Sequence, residues 1–263
     1  MQADLHRTHA APAGRLKIGA ARVDDVTFAL RAGLRDVAAR PALSLFFGLV
    51  FAVFGAVLVA GLVVFKQVWI TIAVGVGFPL VAPFLAAGLY EMSRRLKRGA
   101  PFTAWDIFLV IFRQQRREFG WMALVVLFFF WMWAYQVRLW LAIFMQDHAH
   151  SMERLAGALF TTADGAGFLA VGSLVGALFA TGLFSITVIA MPLLMDKEVD
   201  FITAMITSVK TVLASPAVML GWGAAVGALT LVSVTPAFLG VIVIFPLLGH
   251  ASWHLYERLI SEA

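Results

Sequence analysis

The sequence predicts an all-α membrane protein of six transmembrane helices. They form three parallel helix-hairpin repeats, each preceded by a cytoplasmic interfacial amphipathic helix. Three observations predict this. Of 263 residues, 62% are apolar and 13% charged, with a mean hydropathy of +0.91, whereas a soluble domain carries about 25% charged residues. Apolar runs long enough to cross a bilayer recur along the chain. Lys and Arg collect in alternate connecting segments, the pattern that the positive-inside rule gives a multi-span protein.

Residues 1–24 are polar, contain Arg7, Arg15, Lys17 and Arg22, and lack the apolar core of an export signal, so they are expected to be a flexible cytoplasmic tail. Residues 25–263 are expected to form one membrane domain. Thr27–Arg40 is a short segment of mixed character. Leu43–Phe65 follows as the first span, without a charge, and Trp69–Met92 is the second, after a turn holding Lys66 and Gln67. In Phe102–Arg117, Trp105, Phe108, Leu109 and Phe112 share one helical face, and Arg113, Arg116 and Arg117 form a cationic end. Such a helix lies in the membrane interface with its basic residues toward the headgroups. Trp121–Met145 is the third span, rich in aromatics, with Arg138 toward its outer end, and Gly167–Met195 is the fourth. Val199–Ala214 is a third mixed segment. The stretch from Ala217 to Tyr256 is too long for one span, and Thr235-Pro236 divides it into the fifth and sixth.

Charge sets the orientation. Seven Lys/Arg precede Leu43, and seven more lie between spans two and three: Arg94, Arg95, Lys97, Arg98, Arg113, Arg116 and Arg117. The segment between spans three and four has only Arg154. Both termini are therefore expected on the cytoplasmic side. Basic residues placed beside spans report topology and contact with anionic headgroups, not a nucleic-acid footprint. Arg94, Arg95, Arg113, Arg116 and Arg117 are the expected headgroup contacts.

The two ends of the chain repeat each other. Asp25, Ala29, Arg35, Val37, Ala39, Pro41 and Gly48 correspond to Asp200, Ala204, Lys210, Val212, Ala214, Pro216 and Gly223 at an offset of 175. Pro83, Tyr90, Arg95 and Leu96 correspond to Pro246, Trp253, Arg258 and Leu259 at an offset of 163. Met191-Pro192-Leu193-Leu194 suggests a divergent middle copy. The units cover about 25–99, 100–198 and 199–263. Each enters and leaves on the same side, so the repeats are parallel.

The runs ALRAGLRDVAARPALSLFFG, GLYEMSRRLKRG, MPLLMDKEVDFITAMITSVKTVLASP and PLLGHASWHLYERL resemble the proteobacterial membrane family called domain of unknown function 2189. The resemblance extends over nearly the whole chain after residue 24. It implies a bacterial inner-membrane protein and brings no activity or functional residues with it.

His250 and His254 lie at i, i+4 near the end of the last span, a spacing that would let two imidazoles ligate a metal or haem. The plainer expectation is that His254 sits at headgroup level and His250 hydrogen-bonds within the bundle. Neither a metal nor a cofactor is assigned. The chain has no cysteine, which excludes thiolate metal sites, iron–sulfur clusters and disulfides. It also has no P-loop, HExxH or nucleophile elbow, and no carboxylate pair placed for acid–base work, so an enzyme is not expected. Pro79, Pro83, Pro192 and Pro246 fall inside spans without companion acidic residues, which favours packing kinks over ion sites. Gly172, Gly176 and Ala180 form a small-residue face suited to close helix approach. With Trp131, Trp133 and Trp140 they are the expected contacts with a membrane-protein partner. The expected function is a non-catalytic accessory or scaffold subunit of another membrane complex, a respiratory or photosynthetic one. The alternatives are a transporter or channel for a small or lipid-like solute, and a haem- or metal-binding protein using His250 and His254.

Overall fold

A computed structural model describes residues 16–61, 68–113, 118–146 and 152–262. Within these, the chain is helical apart from one pair of three-residue strands. The helices are α1 (Val23–Ala39), α2 (Pro41–Val59), α3 (Val68–Lys97), α4 (Ala104–Arg113), α5 (Glu118–Phe144) and α6 (Met152–Thr161). They continue with α7 (Ala163–Thr187), α8 (Ala190–Asp196), α9 (Phe201–Ala214), α10 (Pro216–Val234) and α11 (Val241–Leu259). Strand β1 (Leu16–Ile18) pairs antiparallel with β2 (Ile260–Glu262), so part of the 1–24 segment is tied to the C-terminal end. Residues 1–15 lie outside the described residues.

Among the described residues, four helices are long and apolar enough to cross a membrane: α2, α5, α7 continued by α8 (Ala163–Asp196), and α10. At about 1.5 Å per residue, the 19-residue α2 and α10 reach roughly 28 Å, close to the hydrocarbon thickness. The first expected span ends earlier as a regular helix than Leu43–Phe65 implies, and residues 62–67 lie outside the described residues. The second expected span falls on α3. The sixth falls on α11, whose His250, His254, Glu257 and Arg258 dilute its apolar character, so it is not among the four.

Proline places several boundaries. Arg40 (φ −139°, ψ 63°) and Ser215 (φ −148°, ψ 62°) have nearly the same backbone geometry, and each precedes a proline that opens the next helix. A residue before proline is pushed out of the α region, which ends α1 and α9, while proline fits the first helical position of α2 and α10. Between α7 and α8 the break falls at Val188–Ile189, because Pro192 has no N–H to give the carbonyl four residues back. The Ile189 N–H donates instead to Ser208 Oγ of α9 at 3.1 Å. The Thr235–Gly240 turn between α10 and α11 puts Ala237 and Phe238 at positive φ (50° and 66°), at a cost of roughly 1 kcal/mol each. The Phe238 ring packs onto α2 at Gly55, where a Cβ would collide with it.

The three mixed segments are helices α1, α4 and α9. A helix the sequence reading lacks, α6, precedes α7, whose N-cap Thr162 accepts from Gly165 N–H at 3.0 Å.

The core centres on α11, which packs against α1, α2, α3 and α10. Two glycines permit the closest approaches. A Cβ on Gly33 would lie 2.8 Å from the Ala251 backbone nitrogen, and one on Gly48 would overlap the Ile242 carbonyl. Buried side chains concentrate where α3, α8, α9 and α11 meet, including Tyr90, Leu193, Trp253 and Tyr256. Tyr90 and Trp253, which correspond at the offset of 163, stack at 6.1 Å. Elsewhere the apolar helices face outward: Phe128, Tyr135, Ile143, Leu174, Leu178 and Leu231 are all exposed.

Candidate functional site

Among the described residues, two places bear on the expected sites. The first is a buried network joining α1, α2, α3 and α11. His250 is fully buried among apolar residues, and both of its ring nitrogens are engaged. Nε2 lies 3.2 Å from Ser44 Oγ of α2, and Nδ1 lies 2.7 Å from Ser93 Oγ of α3. A neutral imidazole carries one donor and one acceptor, and a hydroxyl can serve either, so the two serines satisfy whichever tautomer is present. One turn on, His254 Nε2 is 2.7 Å from Asp36 Oδ2 of α1, and that same oxygen is 3.8 Å from His250 Nδ1. His254 Nδ1 lies 3.6 Å from Glu257 Oε2, and Glu257 Oε1 is 3.0 Å from Lys97 Nζ. The expectation that His250 hydrogen-bonds within the bundle agrees with this geometry. His254 is covered by α1 instead of standing at an open surface, with a tenth of its side chain exposed. Each imidazole nitrogen thus faces a serine or a carboxylate. Among the described residues no cluster of three or more His, Cys, Asp or Glu is arranged to hold a metal ion.

Beside this network, a cleft of about 520 Å³ opens between α1, α3 and α11. Its apolar wall includes Phe28, Ala32 and Leu96, and Arg35, Lys97 and Arg258 stand around it. Arg258 Nε reaches Asp25 Oδ1 at 2.6 Å and covers the Phe28 ring at 4.5 Å. Asp25 opens α1, and its carboxyl lies below the usual carboxylate range. Partial burial opposes this, but the Arg22 amide and the Arg258 guanidinium outweigh the burial.

The second place is a groove of about 400 Å³ between α5 and α7, lined by Trp133, Gln136, Trp140, Gly172, Ser173 and Gly176 among others. Four of the six expected partner-contact residues thus come together. Trp131 turns to Tyr135, with ring centroids 6.0 Å apart, and Ala180 is exposed without lining the groove. Trp140 Nε1 is buried without a hydrogen-bond partner. A Cβ on Gly172 would meet nothing within 4 Å, and one on Gly176 only Trp133 Nε1 at 3.7 Å. The glycines therefore face the groove and not a neighbouring backbone.

The expected headgroup arginines separate. Arg94 and Arg95 both turn to Glu91, at 2.6 Å each, and Glu91 is only 1% exposed. Arg116, Arg117 and the side chain of Arg113 lie outside what the structure describes. The sequence reading missed Ser44, Ser93 and Asp36 as partners of the histidines. A lone serine in the otherwise apolar stretch of α2 was the one available signal.

Residues 70–196 match the model of the family described as predicted integral membrane protein (DUF2189). No curated protein and no solved structure matches the chain.

Proposed function

We propose that this chain, an integral membrane protein of the DUF2189 family by its match over residues 70–196, is a non-catalytic accessory or scaffold subunit. It would associate with a larger membrane complex, a respiratory or photosynthetic one, in a bacterial inner membrane. The observation that carries the reading is the α5–α7 groove. Its glycines leave open space at Gly172, Trp133 and Trp140 stand among its apolar walls, and the buried Trp140 indole N–H has no hydrogen-bond partner within the chain. Small residues at i, i+4 beside large flat ones suit the approach of another helix within the bilayer. Pro83, Pro192 and Pro246 are buried and line none of the clefts described above, which makes transport between the repeats the weaker reading.

The architecture that goes with this function is six spans in three parallel units, with α1, α4 and α9 as interfacial helices and both termini cytoplasmic. The matched Arg40-Pro41 and Ser215-Pro216 junctions support it, as do α2 and α10, whose bounds both differ by 175. The Tyr90–Trp253 stack joins corresponding residues of the first and last units.

The test is mass spectrometry of what co-purifies with the tagged protein from native membranes in mild detergent. A stoichiometric membrane-protein partner is expected, and the double variant Gly172→Leu, Gly176→Leu should lose it while remaining monodisperse. The chain itself leaves room for the new side chains, so loss of the partner reports the interface. Retention of the partner would remove the groove from the contact, and a wild-type protein that purifies alone would overturn the accessory role.

A further inference from the structure

We propose that the cleft between α1, α3 and α11 binds a phospholipid with a single negative charge. Its phosphodiester would be held by Arg35 and Lys97, and its glycerol and first methylenes would lie on Phe28, Ala32 and Leu96. The inference rests on the membrane reading of the chain but not on the accessory role.

Charge selects the ligand. Around the cleft, Lys97 faces Glu257 at 3.0 Å, Arg258 faces Asp25 at 2.6 Å, and Asp36 faces His254 at 2.7 Å. Among the charged residues that line the cleft, all of them described, Arg35 alone has no such partner. One cation without a counter-ion favours a monoanion. A zwitterionic headgroup would bring an ammonium to carboxylates already engaged by His254 and Lys97. Guanidinium groups bind phosphate oxygens through paired N–H donors, and basic pockets between helices at a membrane surface select lipid headgroups.

Shape agrees with charge. The lining also includes apolar Phe28, Ala32, Ala39 and Leu96, which a free phosphate ester would leave uncovered. The floor is rigid, because α1 is held against α11 by the Gly33 contact and the Asp36–His254 bond. The cleft also lies beside the Arg94–Arg98 end of α3, where the chain's basic residues gather. A headgroup site belongs at that level of a spanning bundle, within reach of the negative lipid surface.

Native mass spectrometry of the full chain in detergent, titrated with single lipids, tests the proposal. Phosphatidylglycerol should remain bound to the wild-type protein in preference to phosphatidylethanolamine and phosphatidylcholine. Arg35→Gln should weaken that binding about five-fold, the equivalent of the ~1 kcal/mol that one basic residue contributes near a lipid surface. Lys97→Gln should weaken it similarly. Arg31→Gln removes an exposed cation of the same helix outside the cleft and should leave binding unchanged. Equal binding of all three lipids, or an equal loss with Arg31→Gln, would overturn the site in favour of general attraction. Competition by free glycerol phosphate would overturn the lipid assignment in favour of a soluble ester. Alkaline extraction of native membranes tests the membrane reading separately, since a spanning protein stays in the pellet whether or not the cleft holds lipid.

Discussion

His250 shows how much one residue's environment decides. A polar ring with no exposure would be costly in an apolar bundle, and Ser44 and Ser93 remove that cost by bonding one nitrogen each. Removing either hydroxyl leaves a buried imidazole nitrogen unpaired. Ser93→Ala should therefore destabilise the protein by about 1–2 kcal/mol. Ser252→Ala is the control, because its hydroxyl bonds back to Leu248 of its own helix and ties no elements together. Thermal unfolding in one detergent should show a clearly larger drop for Ser93→Ala. Equal drops would mean that the serine–histidine bond contributes nothing beyond the loss of a hydroxyl. The sequence placed His250 and His254 on one face, which the structure keeps. It could not reveal their partners, since Asp36, Ser44 and Ser93 lie between 157 and 218 residues away along the chain, and no local periodicity reports such distances.

At the scale of the element, helix starts follow local chemistry. Asp200 caps α9, accepting from the Thr203 N–H at 2.9 Å and the Thr203 hydroxyl at 2.6 Å. These bonds, the hydroxyl foremost, hold its carboxyl below the usual carboxylate range. A carboxyl lowered in the folded state contributes stability that is present above its unfolded pKa and is lost as pH falls through the folded value. Asp200→Ala should cost about 1 kcal/mol at neutral pH. The gap between variant and wild type should close as the pH drops below the ordinary carboxylate value. A gap independent of pH would assign the effect to something other than the charged cap. Elements of this kind were largely legible in advance. Proline marked the starts of α2 and α10, and the mixed segments marked α1, α4 and α9. The α6 helix was not, because its mixed residues beside a long apolar run gave no separate period.

For the whole molecule, the decisive contrast is between a covered end and open flanks. Only 11–28% of the apolar windows of the four long helices is buried within the chain, so most of their surface is left for lipid or a partner. The proposed six-span topology makes a prediction at this scale. The chain is cysteine-free, so single cysteines can be placed at Arg98, Gln146 and Ser261. In intact cells an impermeant maleimide should label only the cysteine at Gln146, between α5 and α6. The other two should react only after the membrane is opened. Labelling of all three from outside, or of Gln146 and Arg98 alike, would refute an even number of spans with both ends inside.

Composition and apolar run length determined by themselves that this chain is helical and lives in a membrane. Both follow from the transfer of side chains into hydrocarbon, which depends on residue type and not on partners. Basic residues beside the spans gave an expected orientation through the positive-inside bias of Lys and Arg. The tertiary structure alone decided that α11, polar for a span, is the packed centre, because Gly33 and Gly48 let α1 and α2 come close enough to cover it. It alone paired Arg94 and Arg95 with Glu91 and left Arg35 without an ion-pair partner in the cleft. Ion pairs and hydrogen bonds depend on distances of a few ångströms between residues far apart in sequence, and only the folded chain sets those distances.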